Sequence, residues 1–81
     1  MAGILIIDDD PKLLKMLERT LIYEGFEVLT ATNGLDGLTM NDAHHPDLLI
    51  VDWMMPKMDG LSLIQTLRKE DDKTMVLMLT A

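Results

Sequence analysis

Carboxylates follow two apolar segments of this chain, at the point where each segment ends. Ile4 to Ile7 runs directly into Asp8-Asp9-Asp10, and Leu48 to Val51 runs into Asp52, which opens a loop that contains proline and glycine. Because the carboxyl ends of parallel strands meet at the edge of an α/β sheet where ligands bind, we expect these two acidic segments to lie side by side.

The chemistry of such a site follows from its crowded negative charges. Like charges within a few Å oppose one another's ionisation unless a cation neutralises them. Mg²⁺ meets this need, since it prefers oxygen ligands, keeps several waters and is usually held by one or two carboxylates together with a phosphate. The spacing of Asp8, Asp9 and Asp52 therefore predicts a magnesium site at this edge.

The elements that must position these acids alternate between strand and helix patterns, which is typical of βαβ units and a parallel sheet. The predicted strands are Ile4 to Ile7, Glu27 to Ala31, Leu48 to Val51 and Met75 to Leu79. The predicted helices are one opened by Asp10-Pro11 and closed by Gly25, one that follows Asn33-Gly34 and ends at His44-His45-Pro46, and one from about Leu61 to Lys69. Asp10 suits a helix N-cap and Pro11 suits the first turn.

Helical spacing predicts which apolar side chains face the sheet. These are Leu14, Leu17 and Leu21 with Leu13 beside them in the first helix, Leu35, Leu38 and Met40 in the second, and Leu61, Ile64 and Leu67 in the third. Strands one, three and four are continuous apolar runs, as in the interior of a sheet, while Glu27 and Thr30 give strand two the character of an edge. Strand four should therefore have a neighbour.

Composition excludes several classes of protein. The chain has 81 residues and a net charge of −7, which allows one small domain of marginal stability and argues against a nucleic-acid partner, since such proteins carry basic patches. It contains no cysteine, so no disulfide framework or thiolate metal site is expected. No apolar run approaches the roughly 18 residues of a membrane span, and no signal-like segment opens the chain, so we expect a cytoplasmic protein.

Three separated motifs resemble the receiver domain of two-component response regulators. They are the acidic pair Asp8-Asp9, the segment from Asp52 to Gly60, and Thr80-Ala81 after the fourth strand. The resemblance implies a flavodoxin-like doubly wound parallel sheet with strand order 2-1-3-4. The family continues through a fifth strand that carries a functional lysine and two more helices, none of which is present here, so we expect an incomplete βαβαβαβ fold in which residues 1–81 form the N-terminal portion of a single receiver domain.

The same resemblance assigns roles to individual residues. Asp52 would accept a phosphoryl group from a sensor histidine kinase or a phosphotransfer protein. Mg²⁺ would be held directly by Asp9, Asp52 and the backbone carbonyl of Met54, with Asp8 acting mainly through water. The hydroxyl of Thr80 would move to bond the phosphoryl group. Lys57 belongs to the loop motif and does not replace the family's lysine.

Simpler interpretations accompany these roles. Asp8-Asp9-Asp10 could be a solvated turn with a helix cap, and Asp10 is assigned only as that cap. Asp59-Gly60 is read as a turn that leads into a helix. Thr80 alone carries no information, because threonine is common in strands. His44 and His45 lack the spacing of a zinc site and are expected on the surface.

Three functional classes remain open. The first is a phosphoacceptor module of a phosphorelay, which is not an enzyme in its own right. The second is a structural receiver fragment with little or no phosphotransfer activity, completed by another chain or a fusion partner and able to self-associate through an exposed fourth strand. The third is a Mg²⁺-dependent aspartyl phosphatase. Such an enzyme needs a second aspartate two residues after the first as its acid/base, and the residue at that position after Asp8 is the predicted helix cap, Asp10, so this class is disfavoured.

Overall fold

Helices and strands alternate along the chain in the structure, a computed structural model that describes residues 2–56 and 58–79. The strands are β1 (Gly3–Ile7), β2 (Glu27–Ala31), β3 (Leu48–Asp52) and β4 (Met75–Leu79). The helices are α1 (Pro11–Tyr23), α2 (Gly34–His44) and α3 (Gly60–Lys69). The predicted elements are all present, with ends that differ by a residue or two.

The four strands are parallel and form one sheet in the order β2-β1-β3-β4. Ile7 lies opposite Ala31 on one side and Val51 on the other. Because the carboxyl ends of these strands are in register, Asp8 and Asp9 after β1 lie at the same edge of the sheet as Asp52, the last residue of β3. The predicted flavodoxin-like order is confirmed.

The sheet buries one hydrophobic cluster on each face. On one face Leu5, Ile7, Leu49 and Val51 pack with residues that include Leu63 and Leu67 of α3. On the other face Ile4, Ile6 and Ile50 pack with Leu14 of α1. Leu17 and Leu21 also pack there, which confirms the predicted inner face of α1.

The predicted inward position of Leu35 in α2 is wrong, because this side chain is exposed. The buried positions of α2 are Gly34, Gly37 and Asn41. A Cβ at Gly37 would collide with the side chain of Ile7 in β1. Glycine therefore lets α2 approach the sheet closely. Leu38 and Met40 are partly buried and pack against the core, which confirms their predicted inward position.

The predicted inward position of Leu61 in α3 is also wrong, since Leu61 is exposed and Leu63 is fully buried instead. Gly60, Leu63 and Leu67 form the buried face of the helix, with spacings of three and four residues that place them on one side. Leu67 was predicted correctly, and Ile64 is half-buried. Leu61 sits in the first turn, where its side chain points away from the sheet.

The edges of the sheet differ in character. β2 is an edge strand, as its polar residues predict. Within the described residues β4 is the other edge, and Met75 and Leu77 leave their side chains exposed. An apolar strand with one unpaired edge is a template for further strand pairing.

None of the described helices has the length and apolar content that crossing a membrane requires.

Candidate metal centre

Three carboxylates converge at the carboxyl edge of the sheet. Asp8 and Asp9 follow β1, and Asp52 is the last residue of the neighbouring strand β3. Each offers one carboxylate oxygen such that these three atoms lie within 4.8 Å of one another. The strand order thus brings together the three acids that the sequence indicated.

Asp8 is the buried member of the cluster. Its backbone N–H donates to the carbonyl of Ala31 over 3.1 Å, and its Oδ1 accepts from the backbone N–H of Asp10 over 2.8 Å. Burial raises the pKa of the Asp8 carboxyl, and the charges of Asp52, Asp9 and Asp10 raise it further, while the hydrogen bond from Asp10 acts in the opposite direction. A cation placed among these groups would remove the electrostatic penalty.

Asp10 belongs to the helix rather than to the cluster. Its Oδ1 accepts from the backbone N–H groups of Lys12 at 3.0 Å and Leu13 at 3.4 Å. It is therefore the N-cap of α1, with Pro11 in the first turn, and two of the N–H groups that a helix start leaves free are satisfied. This confirms the predicted cap and separates Asp10 from its acidic neighbours.

The loop after Asp52 is held at both ends by backbone hydrogen bonds. The N–H of Trp53 donates to the carbonyl of Leu79 in β4 over 2.9 Å, and the carbonyl of Trp53 accepts from the N–H of Gly60 over 3.1 Å. Asp52 itself receives a longer bond of 3.3 Å to Oδ1 from the N–H of Met54. Asp52 thus lies at the junction of β3 and a loop whose first residue is hydrogen-bonded to the first residue of α3.

Asp59 and Gly60 begin α3, as predicted. Asp59 Oδ1 accepts from the backbone N–H of Ser62 over 2.8 Å, which makes Asp59 the N-cap. Hydrogen bonds from Ser62 lower the pKa of the Asp59 carboxyl. Gly60 has a second role that sequence reasoning missed, because a Cβ at this position would collide with the backbone carbonyl of Asp52. The only sequence signal was a glycine in the first position of a helix.

The structure describes some of the remaining predicted residues and not others. Thr80, the predicted switch hydroxyl, and Lys57 lie outside the described residues. Met54, whose carbonyl is the predicted third ligand, follows the acid closely in the loop and exposes its side chain. His44 and His45 are exposed and stand at the end of α2, so the expectation of a surface position is confirmed.

The donor set fits a hard divalent cation. It consists of carboxylate oxygens, with no thiolate or imidazole among the groups that converge, and oxygen-only sites select Mg²⁺, Ca²⁺ or Mn²⁺. Asp9 and Asp52 are more accessible to solvent than Asp8. Fold and site together define a doubly wound α/β domain with a carboxylate cluster at the carboxyl edge of its sheet.

Comparison with known proteins gives this class a family. Residues 4–81 match the response regulator receiver domain. The chain is 45% identical over 78 residues to a probable transcriptional regulator, ycf27, of Cyanophora paradoxa, covering 96% of this chain and 32% of that protein. It is 40% identical over 78 residues to the response regulator MprA of Mycobacterium avium, covering 96% and 34%. The chain thus spans about a third of the length of these curated relatives.

Solved structures agree with the sequence relatives. The receiver domain of Francisella response regulator 1452 superposes with a TM-score of 0.96 at 32% identity, covering all of this chain and 67% of that one. The response regulator TrrA of Thermotoga maritima, solved in complex with Mg²⁺ and BeF, superposes with a TM-score of 0.93 at 36% identity, covering 100% and 70%. The chain belongs to the response regulator receiver family.

Proposed function

We propose that this chain is a phosphoacceptor of a phosphorelay, in which Asp52 receives a phosphoryl group with the help of Mg²⁺. One observation carries the proposal: Asp52 ends β3 beside Asp8 and Asp9, with oxygens of all three within 4.8 Å of one another. Membership of the receiver family and the Mg²⁺–BeF complex of the Thermotoga relative support the same role.

In the proposed reaction, a carboxylate oxygen of Asp52 attacks the phosphorus of a phosphohistidine on a sensor histidine kinase or a phosphotransfer protein. A new P–O bond forms, the P–N bond breaks, and the electron pair of that bond returns to the imidazole of the donor. The product is an acyl phosphate on Asp52. Bound Mg²⁺ supplies neutralisation of the charge on the transferred oxygens.

We assign the Mg²⁺ ligands as Asp9, Asp52 and the backbone carbonyl of Met54, with Asp8 acting through water. The burial of Asp8 and its hydrogen bond from Asp10 favour such an indirect role, because one of its oxygens is already engaged. Thr80 is proposed as the hydroxyl that bonds the phosphoryl group. In this proposal the chain accepts a phosphoryl group and is not an independent enzyme.

A second proposal concerns the state of the fold. The uncovered side chains Met75 and Leu77 on the edge strand β4 favour association of the chain with another chain through β4. We also propose that residues 1–81 are the N-terminal portion of a single receiver domain, since they cover 67% of the Francisella receiver domain. A fragment that needs another chain to complete its sheet would accept a phosphoryl group poorly when it is alone.

The test of the phosphoacceptor proposal is chemical. Incubation of the chain with Mg²⁺ and acetyl phosphate should add one phosphoryl group, detected by intact-mass spectrometry, as the P–O bond of the donor breaks and acetate leaves. The adduct should be labile to hydroxylamine, as an acyl phosphate is, and should disappear in Asp52→Asn and when EDTA is added. Asp59→Asn, which keeps a helix-capping side chain, serves as the matched control. Labelling that persists in Asp52→Asn would refute the assignment.

A further inference from the structure

We infer that the cleft between α2 and the turn before β4 binds a primary alkylammonium group, carried by a free polyamine or by a lysine side chain of another protein. The cleft has a volume of about 300 Å³ and is lined by residues that include Leu38, Asn41, Asp42, Leu67, Glu70 and Asp72. It lies toward the amino edge of the sheet, because Asp72 precedes β4, whereas the candidate metal centre lies at the carboxyl edge. The inference does not depend on phosphorylation of Asp52.

A buried amide group forms part of the wall of this cleft. Asn41 is 3% exposed, and its Nδ2 donates to Asp72 Oδ2 over 2.8 Å. Both residues line the cleft. The other end of the amide, Oδ1, has no hydrogen-bond partner among the described residues, although buried polar atoms in native proteins are nearly always bonded. The cleft therefore offers an acceptor that a ligand with an N–H donor would satisfy.

The charge of the cleft selects a cationic donor. Asp42 and Glu70 are exposed at the cleft, and Asp72 is half-buried. Hydrogen bonds from Thr74 are the largest cause of the lowered pKa of the Asp72 carboxyl, and the charge of Arg68 is the smallest. Arg68 is engaged instead with the backbone carbonyls of Asp72 and Thr74. Asp72 is thus ionised at neutral pH with little contribution from Arg68, and a ligand cation would add the missing positive charge.

The arrangement of acceptors favours an ammonium group over a metal ion or a guanidinium. Among the described residues, the acids whose oxygens converge as a metal requires are those of the candidate metal centre, so the carboxylates of the cleft do not converge on one ion. Asp72 already uses both oxygens for Asn41 and Thr74, which leaves no free carboxylate edge beside Asn41 for the paired bonds of a guanidinium. An ammonium group has three diverging donors that reach separate acceptors.

Apolar side chains in the same cleft indicate that the ammonium is attached to an aliphatic chain. Leu67 is 2% exposed and Leu38 is half-buried, and both line the cleft. An aliphatic stem lies along apolar surface while its charged end meets polar groups, as lysine side chains do. The ligand is therefore an alkylammonium and not the ammonium ion itself.

The test is an NMR titration of the isotopically labelled chain with butylammonium, at saturating Mg²⁺ so that the proposed metal centre is occupied. The side-chain amide signals of Asn41 and the backbone signals of residues 38–42 and 70–74 should shift. Trimethylbutylammonium has the same charge but no N–H donor, so it should bind at least about tenfold more weakly. Equal binding of the two compounds, an absence of shifts, or shifts centred on residues 8–10 and 52–54 would overturn the inference.

Two double variants with the same change in net charge show where the charge acts. Asp42→Asn combined with Glu70→Gln should weaken butylammonium binding about tenfold, because the attraction at the cleft is lost. Glu24→Gln combined with Glu27→Gln removes two exposed acids that do not line this cleft and should change binding less than about twofold, since distant surface charges are screened. Equal losses in both double variants would show a general charge effect and contradict the site.

Asn41→Leu tests the amide oxygen directly, because leucine keeps an uncharged side chain of similar size and removes the acceptor. Butylammonium should bind about tenfold more weakly, while binding of trimethylbutylammonium should stay within about twofold. Circular dichroism monitors folding, and if this variant unfolds, the two ammonium compounds on the unmodified chain decide the question. A folded Asn41→Leu variant that binds butylammonium as tightly as the unmodified chain would refute the role of Asn41.

Two further ligands distinguish the sources of the ammonium group. Diaminobutane represents a free polyamine, and a capped peptide with one lysine between alanines represents a protein side chain. Tighter binding of diaminobutane assigns the cleft to a polyamine, and tighter binding of the peptide assigns it to a lysine of another protein. If neither ligand shifts the signals of Asn41, the inference is wrong.

Discussion

Gly60, the first residue of α3, lies so close to Asp52, the last residue of β3, that a side chain at position 60 would collide with the backbone carbonyl of Asp52. A Cβ placed on Gly60 would be 2.7 Å from that carbonyl oxygen and 2.6 Å from Cε of Met78. The N–H of Gly60 also donates to the carbonyl of Trp53 over 3.1 Å. Helix α3 therefore sits directly against the strand end that presents the candidate phosphoacceptor.

Substitution of Gly60 by alanine should disturb both packing and site. Met78 can move, but the Asp52 backbone cannot move without displacing its carboxylate. We expect Gly60→Ala to lower the free energy of unfolding by about 1–3 kcal/mol, the usual cost of overpacking, and to weaken Mg²⁺ binding. Urea denaturation and metal titration measure the two effects.

Gly3→Ala is the matched control for this experiment. A Cβ at Gly3 would be 3.8 Å from the nearest backbone atom, Cα of Pro46, which is an ordinary van der Waals contact. Gly3→Ala should therefore leave Mg²⁺ binding unchanged. A Gly60→Ala variant as stable as the unmodified chain, with undiminished metal binding, would show that α3 adapts without affecting Asp52.

Trp53 should report metal binding, since it is the only tryptophan and directly follows Asp52. We expect Mg²⁺ to change its fluorescence and to saturate the change at roughly millimolar concentrations, because the ion keeps most of its waters and meets few protein ligands. Asp9→Asn should weaken the response sharply, since it removes a proposed ligand. A fluorescence titration of the folded chain provides the measurement.

Asp10→Asn is the control for the metal titration. Asp10 caps α1 through its Oδ1, and asparagine caps a helix equally well, so the titration curve should stay nearly the same. If Asp9→Asn and Asp10→Asn have equal effects, the acids form a diffuse negative patch and not an ordered ligand set. The same conclusion would follow from a folded sample that shows no response to Mg²⁺.

The strands could be predicted from sequence because each is a continuous apolar run or carries clear edge residues. Asp8, Asp9 and Asp52 could be located for the same reason, since they stand where those runs end. The inner face of α2 was predicted only in part: Leu38 and Met40 pack against the core as predicted, but the most buried positions are Gly34, Gly37 and Asn41, none of which is strongly hydrophobic. Packing against Ile7 decides that orientation, and a contact between distant residues leaves no local periodic signal.

The acidic residues of the site could be predicted from the sequence, but the contacts that hold them in place could not. The three carboxylates stand where apolar runs end, which the residue types show, while the strand order that makes those runs neighbours is what the resemblance to receiver domains implies. The close approach of Gly60 to Asp52 depends on how the loop between them folds, which sequence spacing does not determine. In α3, choosing Leu61 in place of Leu63 was an error of helical phase at the first turn.

Leu77 should drive self-association if β4 pairs with another chain. It is 52% exposed on an edge strand, where an apolar side chain and unpaired backbone groups favour strand addition. We expect Leu77→Lys to lower the association constant, measured by analytical ultracentrifugation, by about tenfold or more, because a charge at a strand edge opposes pairing. Circular dichroism must be measured in parallel, since the substitution also removes packing.

Ile22→Lys provides the comparison for Leu77→Lys. Ile22 is 54% exposed, nearly the same as Leu77, but it lies in α1 rather than at the sheet edge. Its replacement should leave the association constant within about twofold, since apolar area alone is not the proposed cause. Sedimentation of the unmodified chain as a monomer at all concentrations would contradict association through β4.

Asn41 joins α2 to the turn before β4 through a bond to Asp72. Asn41 is 3% exposed, and its Nδ2 donates to Asp72 Oδ2 over 2.8 Å. Asp72 Oδ1 also accepts from the N–H of Thr74 over 2.8 Å and from its hydroxyl. Hydrogen bonds lower the pKa of the Asp72 carboxyl, and those from Thr74 have a larger effect than the one from Asn41.

The lowered pKa sets the direction of a pH effect. The ionised carboxylate is stabilised in the folded chain, so its contribution to the free energy of unfolding is present above the ordinary aspartate pKa, near 4, and is lost as pH falls through the lower folded value. We expect Asp72→Ala to lower stability by about 1–3 kcal/mol at pH 7. The difference between variant and unmodified chain should shrink on acidification below about pH 4.

Asn41→Leu tests the hydrogen bond to Asp72 while keeping a buried side chain at position 41. Asn41 Oδ1 has no hydrogen-bond partner among the described residues, and an unsatisfied buried acceptor costs about 1–3 kcal/mol. Leucine removes that cost but also removes one donor to Asp72, so Asn41→Leu should change stability less than Asp72→Ala and should raise the pKa of Asp72. Urea denaturation across pH 3–7 and carboxyl chemical shifts give both quantities. If Asp72→Ala is equally destabilising at pH 3 and pH 7, the turn is held by packing and the ionised Asp72 contributes little.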